Sequence, residues 1–427
     1  MKAFKTKSIY FFLVLLVICI KQLKFNPIER NRNNSQIKNQ NLKFLDKQSI
    51  NIDSLFSQLV PKEKTKIELE AKICNIEIQK EKLNQITEKT SKINKKKPQQ
   101  LNNIIITYEC FIDFTPNENC NLFQQIIEHI NKKKELLIQQ YNFYSTKLNE
   151  LNECITAIYL KIKEIDLRNL NYPFSDLSHI NLSNLDLEGF YIPGSILIGI
   201  NLSNSNLSYT TFQCSNLAFA KLQNAILTRA NLNECNLMDT NFSFANLTRA
   251  HISESDLTNA NFSNCILAYC DMSKSSGCFS IFDNAKLTKT NLNNTSMGLA
   301  SFKKAKLKNA SFKNAQLNRS NFSYANLKNA NLYNANLSYT DLSNADLSNA
   351  DLSNADLTNA NLTNVNLTNA DLTNANLTNT KLHNANLEKI KLNKITLQET
   401  LNLTFILKKL INIKIINPNI YQGIAEI

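Results

Sequence analysis

The sequence predicts a mainly β chain, with a long solenoid that turns a corner every five residues, an α-helical region before it and an apolar segment at the N-terminus. Three observations predict this architecture. Almost every fifth residue from Leu167 to Leu397 is apolar. Residues 127–165 instead carry apolar side chains at alternating steps of three and four, which is helical spacing. Residues 9–20 are apolar and hold no charge. The 427 residues are therefore expected to form more than one structural domain.

Composition and charge narrow the classes of protein. The chain has 6 Gly and 4 His. Scarce glycine disfavours phosphate-cradling loops, and four scattered histidines argue against a histidine-based metal site or catalytic triad. The formal net charge is +13, of which residues 1–165 carry +10 and residues 166–397 only +2. The basic character therefore belongs to the N-terminal part.

The N-terminus, residues 1–25, predicts a signal-anchor and thus a membrane-associated protein. Three lysines within the first seven residues precede the uncharged segment Ile9–Ile20, an arrangement typical of a signal sequence. Twelve helical residues span about 18 Å against roughly 30 Å of hydrocarbon. No small-residue cleavage site follows, so we favour an uncleaved anchor over a cleaved signal or a buried or cytosolic apolar strand. Lysine and arginine lie on both sides, which leaves the orientation open.

A polar linker and a helical region are predicted between this segment and the solenoid. Residues 26–60 are rich in Asn, Gln, Lys and Ser, which is typical of a solvated linker. Residues 61–165 are predicted as a helical hairpin or coiled coil. Its first helix runs from about Lys62 to Lys95, and Pro98 ends it.

The second helix has an apolar seam over more than five heptads. Its members are Ile127, Ile130, Lys134, Leu137, Tyr141, Tyr144, Leu148, Leu151, Ile155, Ile158, Ile162 and Ile165. Such a seam must pack against another helix. Two partners are open: the first helix, folded back as an antiparallel hairpin, or a second copy of the chain, which would give a homo-oligomer through residues 127–165. The second helix would also cap the first turn of the solenoid.

The five-residue repeat is the most regular feature of the sequence. Residues 167–397 contain 47 pentapeptides in one uninterrupted frame, and the central residue is Leu, Ile, Met or Phe in 45 of them. The residue two before the centre is mostly small, and the residue just before it is usually Asn or Asp. A period of five fits neither a helix nor an ordinary strand. The backbone must therefore turn once per pentapeptide so that every centre points inward.

These repeats, over residues 166–397, resemble the pentapeptide repeat family, whose motif is A(D/N)LXX. The resemblance implies a right-handed quadrilateral β-helix of about twelve coils, with twenty residues in each coil. Residues 20 apart should then stack. Phenylalanines fall at such spacings in one column, with two more on the opposite side, at Phe242, Phe262, Phe282, Phe302, Phe322, Phe212 and Phe312. Gly277 interrupts another column of centres, where we expect a gap that Phe279 fills.

Candidate chemical groups in the repeats are interpreted as structural. The acidic run at Asp341, Asp346, Asp351 and Asp356 occupies one position in four successive pentapeptides, so its members should point to four sides and do not form the paired carboxylates of acid–base catalysis. Cys235, Cys265 and Cys270 fall at the inward small position and are predicted as core residues. The prediction is therefore no catalytic, cofactor-binding or metal site, no cofactor and no enzymatic activity.

Two features of the sequence have no structural role within the repeat itself. Five lysines, at Lys303, Lys304, Lys306, Lys308 and Lys313, lie within about one coil. They form either a modest anion-binding girdle or a solvated surface of mixed charge. Residues 398–427 contain an apolar stretch, predicted as a C-terminal cap with a tail or as a homo-oligomer contact.

The function predicted from these parts is a non-catalytic, membrane-tethered scaffold that binds an unknown protein partner. The alternative is a nucleic-acid-related role, such as topoisomerase (gyrase) binding by a DNA-like rod, since some proteins that resemble this one mimic DNA. That mimicry relies on an acidic rod, and the +2 repeat region disfavours it. Direct nucleic-acid binding is disfavoured as well, because the linear sequence shows no interleaving of aromatic and basic residues.

Overall fold

The computed structural model describes residues 52–91 and 122–392, which form a pair of helices followed by a solenoid of stacked coils. The predicted signal-anchor (1–25), most of the predicted linker and the C-terminal residues 398–427 lie outside the described residues. Within the two described helices, no stretch has the length and apolar character needed to cross a bilayer.

The two helices form an antiparallel hairpin. Helix α1 spans Ile52–Ser91 and helix α2 spans Leu122–Lys163. Three cross-helix contacts establish the antiparallel direction: Glu63 with Tyr159, Lys72 with Tyr144 and Lys80 with Tyr141. Sequence numbers rise along one helix as they fall along the other, so the chain folds back on itself.

The apolar seam of α2 faces α1. Its described members from Ile130 to Ile165 are all buried or half-buried, whereas Phe143 and Leu160, which lie off the seam, are 54% and 59% exposed. Burial of one stripe is what a packed amphipathic helix requires. The seam is therefore covered within one chain, as the hairpin alternative predicts, and does not need a second copy.

Helix α1 begins ten residues before the predicted start at Lys62. The predicted linker over 26–60 is wrong at its C-terminal end, because residues 52–60 are helical. Leu55, Phe56 and Leu59 are 7%, 1% and 0% exposed in the common core. These three apolar residues have helical spacing, but the polar residues among them hide it in the sequence. In the structure their side chains pack against the solenoid.

The hairpin caps the first coil of the solenoid. The Lys64 ammonium donates to the Asp176 carboxylate at 2.7 Å. The Tyr159 hydroxyl donates to Glu63 at 2.7 Å and accepts the backbone N–H of Asn181 at 2.5 Å. Both helices take part in the cap, whereas only α2 was predicted to do so. An exposed solenoid end leaves backbone groups and apolar centres open, and the hairpin covers them here.

The coils stack with a strict register of twenty residues. Parallel β-bridges join each residue before a centre to the residue twenty positions later, from Asn171–Tyr191 to Asp371–Lys391. Four pentapeptides therefore make one coil, as predicted. Each side of a coil pairs through a single bridged residue and then turns, so residues 166–392 form bridges rather than extended strands.

The interior is filled by the central side chains. The rings of Phe242, Phe262, Phe282, Phe302 and Phe322 stack in one column, with centroids 4.6–4.8 Å apart and planes within 6°. Phe312 reaches across from the opposite side, edge-on to Phe302 and Phe322 at 5.7 and 5.8 Å. The predicted column is confirmed, and the rod is narrow enough for opposite sides to touch.

The environment of Gly277 differs from the prediction. Phe279 is 54% exposed and does not enter the core. A Cβ atom on Gly277 would lie 3.4 Å from both the Met297 terminal methyl and Leu257. The flexible methionine and its neighbours take up the space instead.

Candidate functional site

The outward surface of the rod is set by the hydrogen bonds of each pentapeptide. In the unit Ala345–Asn349, four of the five backbone N–H groups donate to backbone carbonyls of the same or a neighbouring coil. The fifth, on Ser348, donates to the Asp346 carboxylate at 3.0 Å. The backbone provides no carbonyl acceptor for this one N–H, and the side chain of the Asn or Asp before the centre accepts its hydrogen bond. This requirement explains why Asn or Asp precedes most centres.

The position two after each centre lies in the left-handed region. Asn344 and Asn364 have φ near +60°, a region that asparagine tolerates better than most residues. The amide of Asn364 also donates to the Asn344 side-chain oxygen at 3.1 Å. Such amide pairs recur between asparagines twenty residues apart and form an asparagine ladder along the rod.

The register divides the rod into four sides, which we name after four successive centres. Side A carries Leu202, side B Leu207, side C Phe212 and side D Leu217, and residues twenty positions further lie on the same side. Side D is opposite side B.

The acidic run has a structural role. Asp341, Asp346, Asp351 and Asp356 lie on sides A, B, C and D, and Asp351 stacks on Asp371 through a bridge. Each carboxylate accepts the N–H two residues later at 3.0 Å. The four aspartates therefore lie on different sides, as predicted, and the structure shows that they serve as turn acceptors.

The cysteines of the repeat core are inert. Cys235, Cys265 and Cys270 are at most 2% exposed. Burial raises the pKa of the Cys235 and Cys265 thiols to about 12 and that of Cys270 well above its usual value. A protonated thiol is a poor metal ligand and nucleophile. The described part of the chain contains no group of three metal-ligating side chains.

A continuous basic surface lies along side B. Between residues 205 and 329 this side carries seven cationic side chains and no carboxylate. All seven are exposed. We call this surface the basic face; its cations are Arg229, Arg249, Lys286, Lys289, Lys306, Lys308 and Lys328.

Aromatic rings interleave with cations in one column of the basic face. The Arg229 guanidinium lies 5.7 Å from the centroid of the Tyr209 ring. Tyr269 lies between Arg249 at 5.6 Å and Lys289 at 5.2 Å. These cation–π contacts hold the charges in a row along the rod. Sequence reasoning missed the column because its members are twenty residues apart.

The basic face also departs from the hydrogen-bonding scheme of the repeat. The residue before the centre is not Asn or Asp in three successive coils, where Ile266, Lys286 and Lys306 stand. The N–H groups of Ala268, Thr288 and Lys308 consequently have no acceptor among the described residues. The same bond is absent on side D after Ser276, Ser296 and Gln316, but only on the basic face do the unpaired donors lie beside a row of cations.

Charge is unevenly distributed around the rod. Over residues 210–339, sides C and D carry five carboxylates and three cations. The predicted lysine girdle is not a ring: Lys303 and Lys304 lie on side A, Lys306 and Lys308 on side B and Lys313 on side C. The cations instead extend lengthwise, and the basic face is the strongest charge feature of the described repeats.

Comparison with known families identifies the repeats. Eight copies of pentapeptide repeats match between residues 194 and 398. The repeat region thus belongs to the pentapeptide repeat family, whose members form right-handed quadrilateral β-helices. Comparison with curated proteins gives no match.

Solved structures with similarity to the chain are also pentapeptide repeat proteins. HetL, involved in heterocyst differentiation regulation in the cyanobacterium Nostoc sp. strain PCC 7120, is 26% identical over 52% of this chain and 91% of its own, with a TM-score of 0.26. Full-length QnrB1, a plasmid-mediated fluoroquinolone resistance protein, is 20% identical over 56% and 99%, with a TM-score of 0.28. A protein of the Arabidopsis thaliana thylakoid lumen is 25% identical over 32% and 63%, with a TM-score of 0.14.

Proposed function

We propose that the protein is a non-catalytic scaffold, tethered to a membrane by its N-terminal segment, that presents the rod to a protein partner. The observation that carries this proposal is that the candidate reactive side chains of the repeats have structural roles in the fold. The Asp run accepts turn hydrogen bonds, and the three core cysteines Cys235, Cys265 and Cys270 are buried, which raises the pKa of their thiols. The tether rests on the uncharged segment Ile9–Ile20, which lies outside the described residues.

Exposed apolar side chains on side D support a protein partner. Phe279 and Leu299 are neighbours in one column and are 54% and 45% exposed. Tyr339, two coils beyond Leu299, is 56% exposed. Neighbouring large apolar groups on a rigid surface favour contact with another protein.

The alternative, gyrase binding by DNA mimicry, has less support. A DNA-like surface needs carboxylates in rows, and side B has none between residues 205 and 329. Sides C and D carry carboxylates mixed with cations over the same coils. The likeness to QnrB1 supports the fold alone.

Two measurements test the proposal. Membranes are washed with alkaline carbonate, and the N-terminus of the recovered chain is sequenced. We expect the intact chain in the membrane pellet. A soluble intact chain would contradict the tether, and a soluble chain trimmed near residue 20 would indicate an exported protein.

The scaffold role is tested with a photoreactive residue in place of Leu299 on side D. We expect one discrete heavier adduct after illumination in cells. The same residue at Asn364, in the asparagine ladder of side A, is the control and should give no such adduct. Equal adducts at both positions, or none at either, would contradict a partner on side D.

A further inference from the structure

We propose that the basic face binds the surface of a membrane that contains anionic phospholipids, with side B lying along the headgroups. The inference rests on the proposed function: the N-terminal segment would hold the chain at a membrane, and the basic face would be a second contact with it. Side D, opposite the basic face, would then point away from the lipid and toward a protein partner.

The donors of the basic face suit phosphate oxygens. Each of the seven cations is exposed, and none has a carboxylate on its own side over seven coils. The free N–H groups of Ala268, Thr288 and Lys308 add neutral donors in the same strip. Phosphate is bound by cationic side chains together with backbone N–H groups. The basic face therefore offers phosphate oxygens both charged and neutral donors.

The shape of the face suits an extended planar surface. The register of twenty residues places every outward position in a column that runs along the rod. Seven coils at about 4.8 Å per step give a strip of roughly 29 Å. A lipid surface can contact every cation of such a strip at once, and its attraction for each basic residue adds up.

Apolar and aromatic side chains around the cations point to the headgroup region. Ile226, on the basic face, is 45% exposed. Phe244 and Tyr324, at the corner where side A meets side B, are 62% and 57% exposed. Aromatic residues among lysine and arginine are typical of the membrane–water interface.

The cation–π column of the basic face is poorly suited to single-stranded nucleic acid. Binding of unpaired bases requires aromatic rings with open faces. Tyr269 has Arg249 on one face and Lys289 on the other, and Tyr209 has Arg229 on one face. Tyr269 therefore positions cations and offers no open face to a base, and Tyr209 offers only one.

The first test uses the absence of tryptophan from the chain. A single tryptophan is introduced as Phe244→Trp beside the basic face or, in the control, as Phe279→Trp on side D. Each full-length variant is mixed with vesicles of phosphatidylserine and brominated phosphatidylcholine. We expect brominated lipid to quench Trp fluorescence in the first variant and not in the second, and 0.5 M salt to reverse the quenching.

The second test removes charge. The double variant Arg249→Gln/Lys289→Gln is compared with Lys313→Gln/Arg319→Gln, which loses the same charge and the same kind of contact with Tyr333 and Tyr339 on sides C and D. Each cation near an anionic surface contributes about 1 kcal/mol, so the first pair should weaken partitioning about 30-fold. The control pair should change it less than about twofold.

The outcomes separate the two proposals. Flotation of the chain with neutral vesicles, without quenching of the Phe244→Trp variant on anionic vesicles, would support the tether and overturn the lipid-binding face. Quenching on anionic vesicles without flotation on neutral ones would support the face and contradict the tether. Equal losses from the two charge variants, or tighter binding to duplex DNA than to anionic vesicles, would also overturn the inference.

Discussion

The substitution Phe282→Ala tests how the phenylalanine column stabilises the rod. The Phe282 side chain is 0% exposed and stacks between Phe262 and Phe302, with both centroid distances 4.8 Å and planes within 3°. Truncation of a buried phenylalanine costs about 3–5 kcal/mol. Each of the two lost ring–ring contacts adds about 0.5–1.5 kcal/mol to the cost of losing buried apolar area. We therefore expect a loss near the upper end, about 5 kcal/mol in the free energy of unfolding.

The matched control is Phe279→Ala, three residues earlier. Phe279 is 54% exposed, so its truncation should change stability by less than about 0.5 kcal/mol. Urea unfolding followed by far-ultraviolet circular dichroism measures both variants. Because each coil of a solenoid contacts only its neighbours, hydrogen exchange should show the loss of protection centred on the coils around Phe282. Equal destabilisation by the two substitutions would refute the assigned frame and the stacked column.

Three further predictions address the frame, the cap and the cysteines. Leu352→Asp places a charge in the core and should lower the melting temperature by more than 10 °C, whereas Ser353→Lys, pointing outward, should leave it within a few degrees; equal melts would contradict the frame. Burial, helped by Glu63, raises the pKa of Tyr159 above its usual value of about 10. Stability of the hairpin cap should therefore be full below pH 10 and fall at higher pH, and Tyr159→Phe, measured by exchange protection, should abolish this dependence. Under native conditions a thiol reagent should modify exposed Cys154 and leave Cys265 intact, which peptide mass mapping checks.

The repeat region could be predicted in detail because one rule governs it. A centre every five residues, with stacking every twenty, follows from the sequence alone and is confirmed by the bridges. The start of α1 could not be predicted in the same way. Leu55, Phe56 and Leu59 lie in a polar context, and their burial depends on the first coils. Phe279 likewise was assigned to the core by its closeness to Gly277, although its position in the frame points outward.

The basic face could not be found by scanning neighbours along the chain. Arg229, Arg249 and Lys289 appear as isolated charges in the sequence, and the total of +2 for the repeats hides their arrangement. Sorting residues by the remainder after division by twenty separates side B from the other sides. The cations of the basic face can therefore be recognised in the sequence, but only after residues twenty positions apart are compared.

The positions that break the repeat motif are the most informative about function. An asparagine or aspartate before the centre pairs the N–H two residues later, a bond that contributes about 0.5–1.5 kcal/mol. Coils around Asp346 and Asp351 keep this bond, whereas Lys286 and Lys306 give it up on one side in successive coils. Each buried centre contributes about 1.5–3 kcal/mol, so the core can carry the loss. Ser276, Ser296 and Gln316 break the motif on side D as well, so the lost bond is not by itself particular to the basic face. What is particular to the basic face is that lysine replaces the asparagine in two successive coils, and this favours anion binding as the reason these residues are kept.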